Sequence, residues 1–323
     1  MDNRALHPRQ RRISVVIPAY HEAANLARLV PALCRVLADL VDHYEVVVVN
    51  DGSRDETDTV MATLAAAYPV HYLSLSRNFG KEAALTAGLD VARGEAVILM
   101  DADFQHPLSI LPVFFKHWLE GYDMVYAVRA SRAEESWLKR EGTRWFYRLM
   151  SSGAEVEITP DAGDFRLLDQ RVVQSLRRLS ERNRFMKGMY AWVGYRSLAI
   201  PYIPDEREAG DSSFGFSQLL RLAFTGLTAF TDLPLRIWSG LGVIVSLLAL
   251  AYGAWIVLST LLYGKDVPGY ATITTSIMFF SGVQLLSIGV LGEYLARVYT
   301  EVKQRPTYLI GHATDHSPLD PPQ

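Results

Sequence analysis

Two charge-free runs near the C-terminal end limit what this 323-residue chain can fold into. About 27 residues from Ile237 to Tyr263, and about 23 from Tyr270 to Gly292, contain no Lys, Arg, Asp or Glu. Each is long enough to cross a hydrocarbon core of ~30 Å as a helix. The segment between them, Gly264-Lys265-Asp266-Val267-Pro268-Gly269, reads as a tight turn joining two antiparallel spans. A buried helical hairpin of a soluble protein is the competing reading. Arg221 and Arg236 precede the first span, Arg297, Lys303 and Arg305 follow the second, and the turn carries only Lys265. That bias predicts that both ends face the cytoplasm, in a multi-pass protein of the inner membrane.

Elsewhere the chain has an ordinary soluble charge density. Its 32 basic and 35 acidic side chains give a net charge of −3, which leaves no cationic excess for nucleic acid. The single cysteine, Cys34, has no partner for an internal disulfide, and no Cys/His spacing suits zinc, as expected of a reducing compartment. The apolar run after the N-terminal arginines, Ile13 to Ile17, is too short for a signal-peptide core.

Residues 1–205 alternate apolar β-type runs with helical stretches. Strands are predicted at Ser14–Ile17, Glu45–Val49, His71–Leu75, Ala96–Met100 and Met124–Ala127, and helices at Glu22–Leu40, Thr57–Tyr68 and Lys81–Ala92. This is the pattern of an α/β domain with a mixed, mainly parallel sheet covered on both faces. Residues 206–235 follow as a loop and an amphipathic segment, with Phe216, Leu219, Leu220, Ala223, Phe224, Leu227 and Phe230 at helical spacing, suited to a membrane interface. The spans occupy 236–298, and the polar tail of 299–323 is expected to be largely disordered after Pro306.

In such a sheet ligands sit beyond the carboxyl ends of the strands. The residues there are Pro18-Ala19-Tyr20-His21-Glu22, Asn50-Asp51-Gly52-Ser53-Arg54-Asp55 and Asp101-Ala102-Asp103-Phe104-Gln105. Any one acidic group has a structural reading, as a turn or a helix cap. Strand alternation places Asp101, Asp103 and Gln105 on one side of the extended backbone, offering two carboxylates and an amide oxygen to a hard cation, Mg2+ or Mn2+. No G-x-x-x-x-G-K-[ST] loop and no G-x-G-x-x-G turn is present, which argues against P-loop and dinucleotide-binding enzymes.

These motifs, with Ser-Arg-Asn-Phe-Gly-Lys-Glu, Gly-Asp-Phe-Arg-Leu and Arg-Pro-Thr-Tyr, resemble those of the family-two glycosyltransferases of GT-A fold. The likeness is to the polyprenyl-phosphate branch, which holds dolichyl-phosphate mannose synthase, and the two spans look most like its bactoprenol glucosyltransferase type. The resemblance implies that Pro18, Tyr20, Glu22, Val49, Asp51 and Ala102 help hold the nucleotide, and that Arg207 lies in a loop closing over it. Asp101 and Asp103 match the metal and diphosphate motif, with Gln105 as a further ligand. Arg129 matches a phosphate-contacting arginine, with Arg132 near it, and Asp164 matches an acid beside the acceptor that acts as base or orienting group. A processive synthase is disfavoured, because Glu181, Arg182 and Arg184 stand where Q-x-x-R-W would be. His21, Asn50 and Ser213 depart from the family's commoner Asn, Asp and Lys.

The implied activity is inverting transfer of a hexose, glucose from UDP-glucose in the leading case, to undecaprenyl or another polyprenyl phosphate. Other sugars (a 4-amino-arabinose derivative, mannose, N-acetylglucosamine) stay open, as does a non-catalytic membrane scaffold. A homo-oligomer, and a flippase as downstream partner, are further implications.

Overall fold

The computed structural model describes residues 7–129, 162–182, 184–202, scattered helical positions between 242 and 263, and 269–319. The chain divides into two compact units. Gly215–Gln304 makes up most of one, whereas Arg305–Gln323 returns to the other, which holds the sheet.

The sheet contains β1 (Arg12–Ala19), β2 (His43–Asn50), β3 (Val70–Leu75), β4 (Ala96–Leu99), β5 (Met124–Arg129), β6 (Ala162–Asp169), β7 (Ser197–Tyr202) and β8 (Ile310–Asp315). Their spatial order is β7-β5-β6-β4-β1-β2-β3-β8. The β1–β2, β1–β4, β2–β3 and β5–β7 pairs are parallel, while β6 runs antiparallel to β4 and β5, and β8 antiparallel to β3. This is a GT-A-like α/β fold, as expected.

The strands read as unbroken apolar runs because both faces are covered. Val15 and Ile17 face one core, beneath α1 (Ala23–Leu40), α2 (Thr57–Ala67) and α4 (Leu111–Leu119). Val16 faces the other, beneath α3 (Lys81–Val91), α5 (Gln170–Arg178) and α6 (Met186–Trp192). Helix α1 buries Leu26, Leu29, Val30, Leu33 and Leu37, one stripe at steps of three and four. Helix α3 comes close to β1 only because residue 88 is glycine: a Cβ there would stand 2.2 Å from Val16 Cγ1.

The predicted disorder after Pro306 is corrected by β8. Leu75 pairs with Ile310, Leu73 with Ala313 and His71 with Asp315. Arg93 holds Asp315 through Nη2 and donates from Nη1 to the Leu319 carbonyl at 2.9 Å. At the same end of the sheet the fully buried Glu45 carboxylate accepts from Ser14 Oγ at 2.6 Å and Arg93 N at 2.7 Å, and also from Ser317 Oγ. A six-residue polar segment with a glycine carries no strand signal of its own. It is a strand because β3 otherwise ends the sheet with unpaired backbone groups, and because a buried carboxylate needs Ser317.

In the second unit, α7 runs from Tyr270 to Val302, beginning where the charge-free run begins. At 33 residues it is ~50 Å long, more than a hydrocarbon core requires. Ile277, Phe279, Leu285, Ile288, Leu291 and Leu295 are all exposed along it. It is the one helix among the described residues long and apolar enough to cross a membrane. Part of the first predicted span, the amphipathic segment from Phe216 to Phe230, Arg132 and Arg207 lie outside the described residues.

Candidate active site

The carboxyl ends of β1, β2 and β4 meet at one edge. There β1 gives way to Tyr20, which is half-exposed with its ring centroid 4.2 Å from that of His21. His21 has φ +60°, and its N–H donates to Ser53 Oγ at 2.9 Å, tying the β1 and β2 loops together. His and Asn both tolerate that left-handed conformation better than most residues, so His in place of Asn costs the turn little. Glu22 accepts from Asn25 Nδ2 at 2.6 Å. Pro18, Val49 and Ala102 are buried at this same edge.

Asn50 is also buried, donating to Tyr72 Oη at 2.9 Å and Asp58 Oδ1 at 3.0 Å and accepting from Ser53 N at 2.9 Å. An aspartate could not donate, which accounts for the amide here. Asp51 lies beneath the loop that leads into α3: Oδ1 accepts from Phe79 N at 2.7 Å and Oδ2 from Gly80 N at 2.8 Å. Burial raises its pKa, and those two N–H groups oppose the rise. Gly52, at φ +68°, lets the loops meet, since a Cβ would stand 2.3 Å from the Arg77 carbonyl carbon. Asp51 thus carries a loop-holding role that the nucleoside assignment did not include.

The alternation argument for Asp101, Asp103 and Gln105 is corrected. Strand β4 stops at Leu99, and Phe104 adopts φ +60°, so the three residues stand on a turn. Asp101 N donates to His106 Nδ1 at 3.2 Å, and Gln105 N to Asp103 Oδ1 at 3.2 Å. His106 is held in turn by its stack on Phe165 of β6, with centroids 4.3 Å apart. Among the described residues no three His, Cys, Asp or Glu side chains converge on one metal position. Two carboxylates and an amide oxygen on one short turn remain a hard donor set that suits Mg2+ or Mn2+.

Asp101 and Asp164 are brought together by sheet register. Leu99, the last residue of β4, pairs with Arg166 across the antiparallel β4–β6 ladder, so Asp101, just past the end of β4, comes near Asp164, two residues before Arg166 on β6. Between them stands Lys81, the first residue of α3, with Nζ 2.6 Å from Asp101 Oδ1 and 2.9 Å from Asp164 Oδ2. Burial pulls the ammonium's pKa down, but the two carboxylates more than reverse this, so Lys81 stays protonated. Burial pushes the Asp164 carboxyl up, and Lys81 and Arg166 pull it below the ordinary carboxylate range. Asp164 is therefore ionised at neutral pH, with Oδ1 buried and without a hydrogen-bond partner among the described residues.

Behind this pair lies a polar group that the sequence did not single out. The Arg166 guanidinium is buried, 3.6 Å over the Tyr190 ring. Glu82 accepts from Met186 N at 3.3 Å, and burial followed by the Asp164 charge pushes its pKa up to about 7. A carboxyl raised on folding binds its proton more tightly in the native state, so stability falls as pH rises from about 4.5 to about 7 and is level above. Glu82→Gln keeps an oxygen acceptor and removes the charge. It is expected to flatten that slope and to add on the order of 3 kcal/mol at pH 8. Melting curves of both proteins across pH 5–8 test this, and parallel curves would refute it.

Arg129 ends β5, its backbone paired with Tyr202 at the same sheet. Arg182 donates to the Arg305 carbonyl at 2.9 Å and Arg184 to Thr86 Oγ1 at 3.3 Å, so both brace loops and tail. Lys81 and Glu82 stand in the Asn-Phe-Gly-Lys-Glu segment, and Arg166 in Gly-Asp-Phe-Arg. The available signal was charge placed beside glycine-bearing motifs.

Residues 14–177 match the family model described as Glycosyl transferase family 2, and residues 233–298 one described as GtrB C-terminal hairpin. An uncharacterized glycosyltransferase of Synechocystis sp. is 46% identical over 299 residues, 92% of this chain and 94% of that protein. The SfII prophage-derived bactoprenol glucosyl transferase of Shigella flexneri is 42% identical, over 93% of this chain and 97% of its own length. A prophage bactoprenol glucosyl transferase homolog of Escherichia coli K12 is 41% identical, over 93% and 98%. With its sheet, its acidic strand-end loop and these matches over nearly its whole length, the chain belongs to glycosyl transferase family 2.

Proposed function

We propose that this enzyme transfers glucose from UDP-glucose to a polyprenyl phosphate, undecaprenyl phosphate in the leading case, at the cytoplasmic face of the inner membrane. The observation that carries the reading is the bridge from Asp101 through Lys81 to Asp164, which joins the diphosphate edge of the sheet to the acid matched to the acceptor side. The names of the Shigella and Escherichia relatives support the acceptor and the sugar. The exposed apolar surface of α7 and the hairpin match over residues 233–298 support a membrane anchor of two spans, which would keep the site where a lipid phosphate is presented.

In this reading an acceptor phosphate oxygen attacks the sugar C1 as the bond from C1 to the diphosphate oxygen breaks, with inversion. Asp101, Asp103 and Gln105 would hold Mg2+ or Mn2+, which when bound offsets charge on the departing diphosphate. Lys81 adds a positive charge on the same edge. Asp164 orients rather than deprotonates: its proton affinity is depressed, and a phosphate monoester with a second pKa near 6 is already mostly dianionic at pH 7. Arg129 and Arg207 would contact phosphate oxygens.

The test is transfer of radiolabel from a panel of UDP- and GDP-sugars into organic-extractable lipid by the purified full chain with undecaprenyl phosphate. UDP-glucose is expected to label lipid with Mg2+ or Mn2+ and not with EDTA, and Asp103→Ala to lower the rate about a thousandfold. Label from a different donor would change the sugar, and no lipid label from any donor would refute the reading.

A further inference from the structure

We infer that Lys81 is a resident counter-ion that keeps the divalent cation off Asp101 until a nucleotide diphosphate arrives. The inference rests on the reading that the Asp101 turn takes a metal ion. Three observations support it. The ammonium lies 2.6 Å from Asp101 Oδ1, on an oxygen that a cation would need. It also lies 2.9 Å from Asp164 Oδ2, so it has a second anchor when it gives up the first. The side chain is 44% exposed and so has room to move.

Its place in the fold points the same way. Lys81 opens α3, where the helix presents its positive end and where an acidic or neutral residue would be favoured. A lysine held against that local preference, with its charge spent on two carboxylates of the site, is the kind of conflict found where function sets the residue. When metal and Lys81 compete for Asp101, cation affinity is low in the free enzyme. A diphosphate supplies new anionic oxygens for the ammonium and further ligands for the metal, so the two bind with positive coupling.

The experiment measures Mn2+ binding by electron paramagnetic resonance, following loss of the free-ion signal, on the detergent-solubilised full chain with and without UDP. Lys81→Gln removes the charge while keeping a side chain of similar reach. Without UDP it is expected to bind Mn2+ about tenfold more tightly than the parent chain, and the enhancement brought by UDP shrinks by the same factor. Lys81→Arg keeps the charge and is expected to behave as the parent. Unchanged Mn2+ affinity in Lys81→Gln, with UDP-dependent Mn2+ binding intact, would overturn the inference alone; so would an equal gain in Lys81→Arg. Absence of Mn2+ binding by the parent chain even with UDP would overturn the metal reading and the inference with it. Melting curves establish that each variant is folded before it is titrated.

Discussion

Asp164→Asn is expected to lower kcat about a thousandfold and to leave the pH dependence of kcat/KM in place. The substitution preserves size and removes the charge that Lys81 and the buried Arg166 share. Lys81 then keeps only Asp101 and the buried Arg166 loses a neighbouring carboxylate, and removing one partner of such a buried group costs about 3–5 kcal/mol. Part of that loss will appear as a lower melting temperature. The sign for the wild-type group follows from its depressed pKa: the stability Asp164 contributes is fully present above the ordinary carboxylate range and is lost only as pH falls below it. It does not titrate between pH 5 and 8. An ascending limb near pH 6 would therefore not belong to Asp164; the acceptor phosphate, with its second pKa near 6, supplies one that persists in the Asn variant. If the limb disappears on substitution, Asp164 is the base and the orienting role is wrong.

Removal of residues 309–323 is expected to destabilise the catalytic unit by several kcal/mol. Three losses coincide. The ladder from Leu75 to His71 has no partner on one side, Arg93 loses Asp315, and the fully buried Glu45 loses Ser317. An orphaned buried carboxylate contact alone costs about 1–3 kcal/mol. The milder change Ser317→Ala isolates that contribution. Melting of the detergent-solubilised truncated chain decides the matter: a midpoint equal to the full chain's would mean that β8 rests on the sheet without supporting it.

Much of this architecture was legible because continuous apolar strands and helix-period stripes are local signals. β1 to β5 and α1 to α3 fall where the patterns of residues 14–127 place them, within a few residues. β6 to β8 were not legible: Ala-Gly-Asp-Phe-Arg-Leu-Leu-Asp carries three charges, and β8 is polar, so their pairing depends on partners far along the chain. The same distinction runs through the site. Asp101, Asp103 and Asp164 could be named from motifs, but nothing local says that Lys81 would join two of them, because that contact follows from the register of β4 against β6. The expected in-line spacing of Asp101 and Asp103 failed for a related reason: β4 ends at Leu99, before either aspartate, and a left-handed Phe104 turns the loop.

The return of the chain end to the sheet also sets a schedule for biosynthesis. Leu75 and its partner Ile310 lie 235 positions apart. At ribosomal speeds, ~10–50 s pass between their emergence. Throughout that interval the flank of β3 has no native partner. The sheet of the nascent protein therefore stays incomplete until Ile310–Asp315 has emerged, and the exposed apolar run of α7 emerges before that.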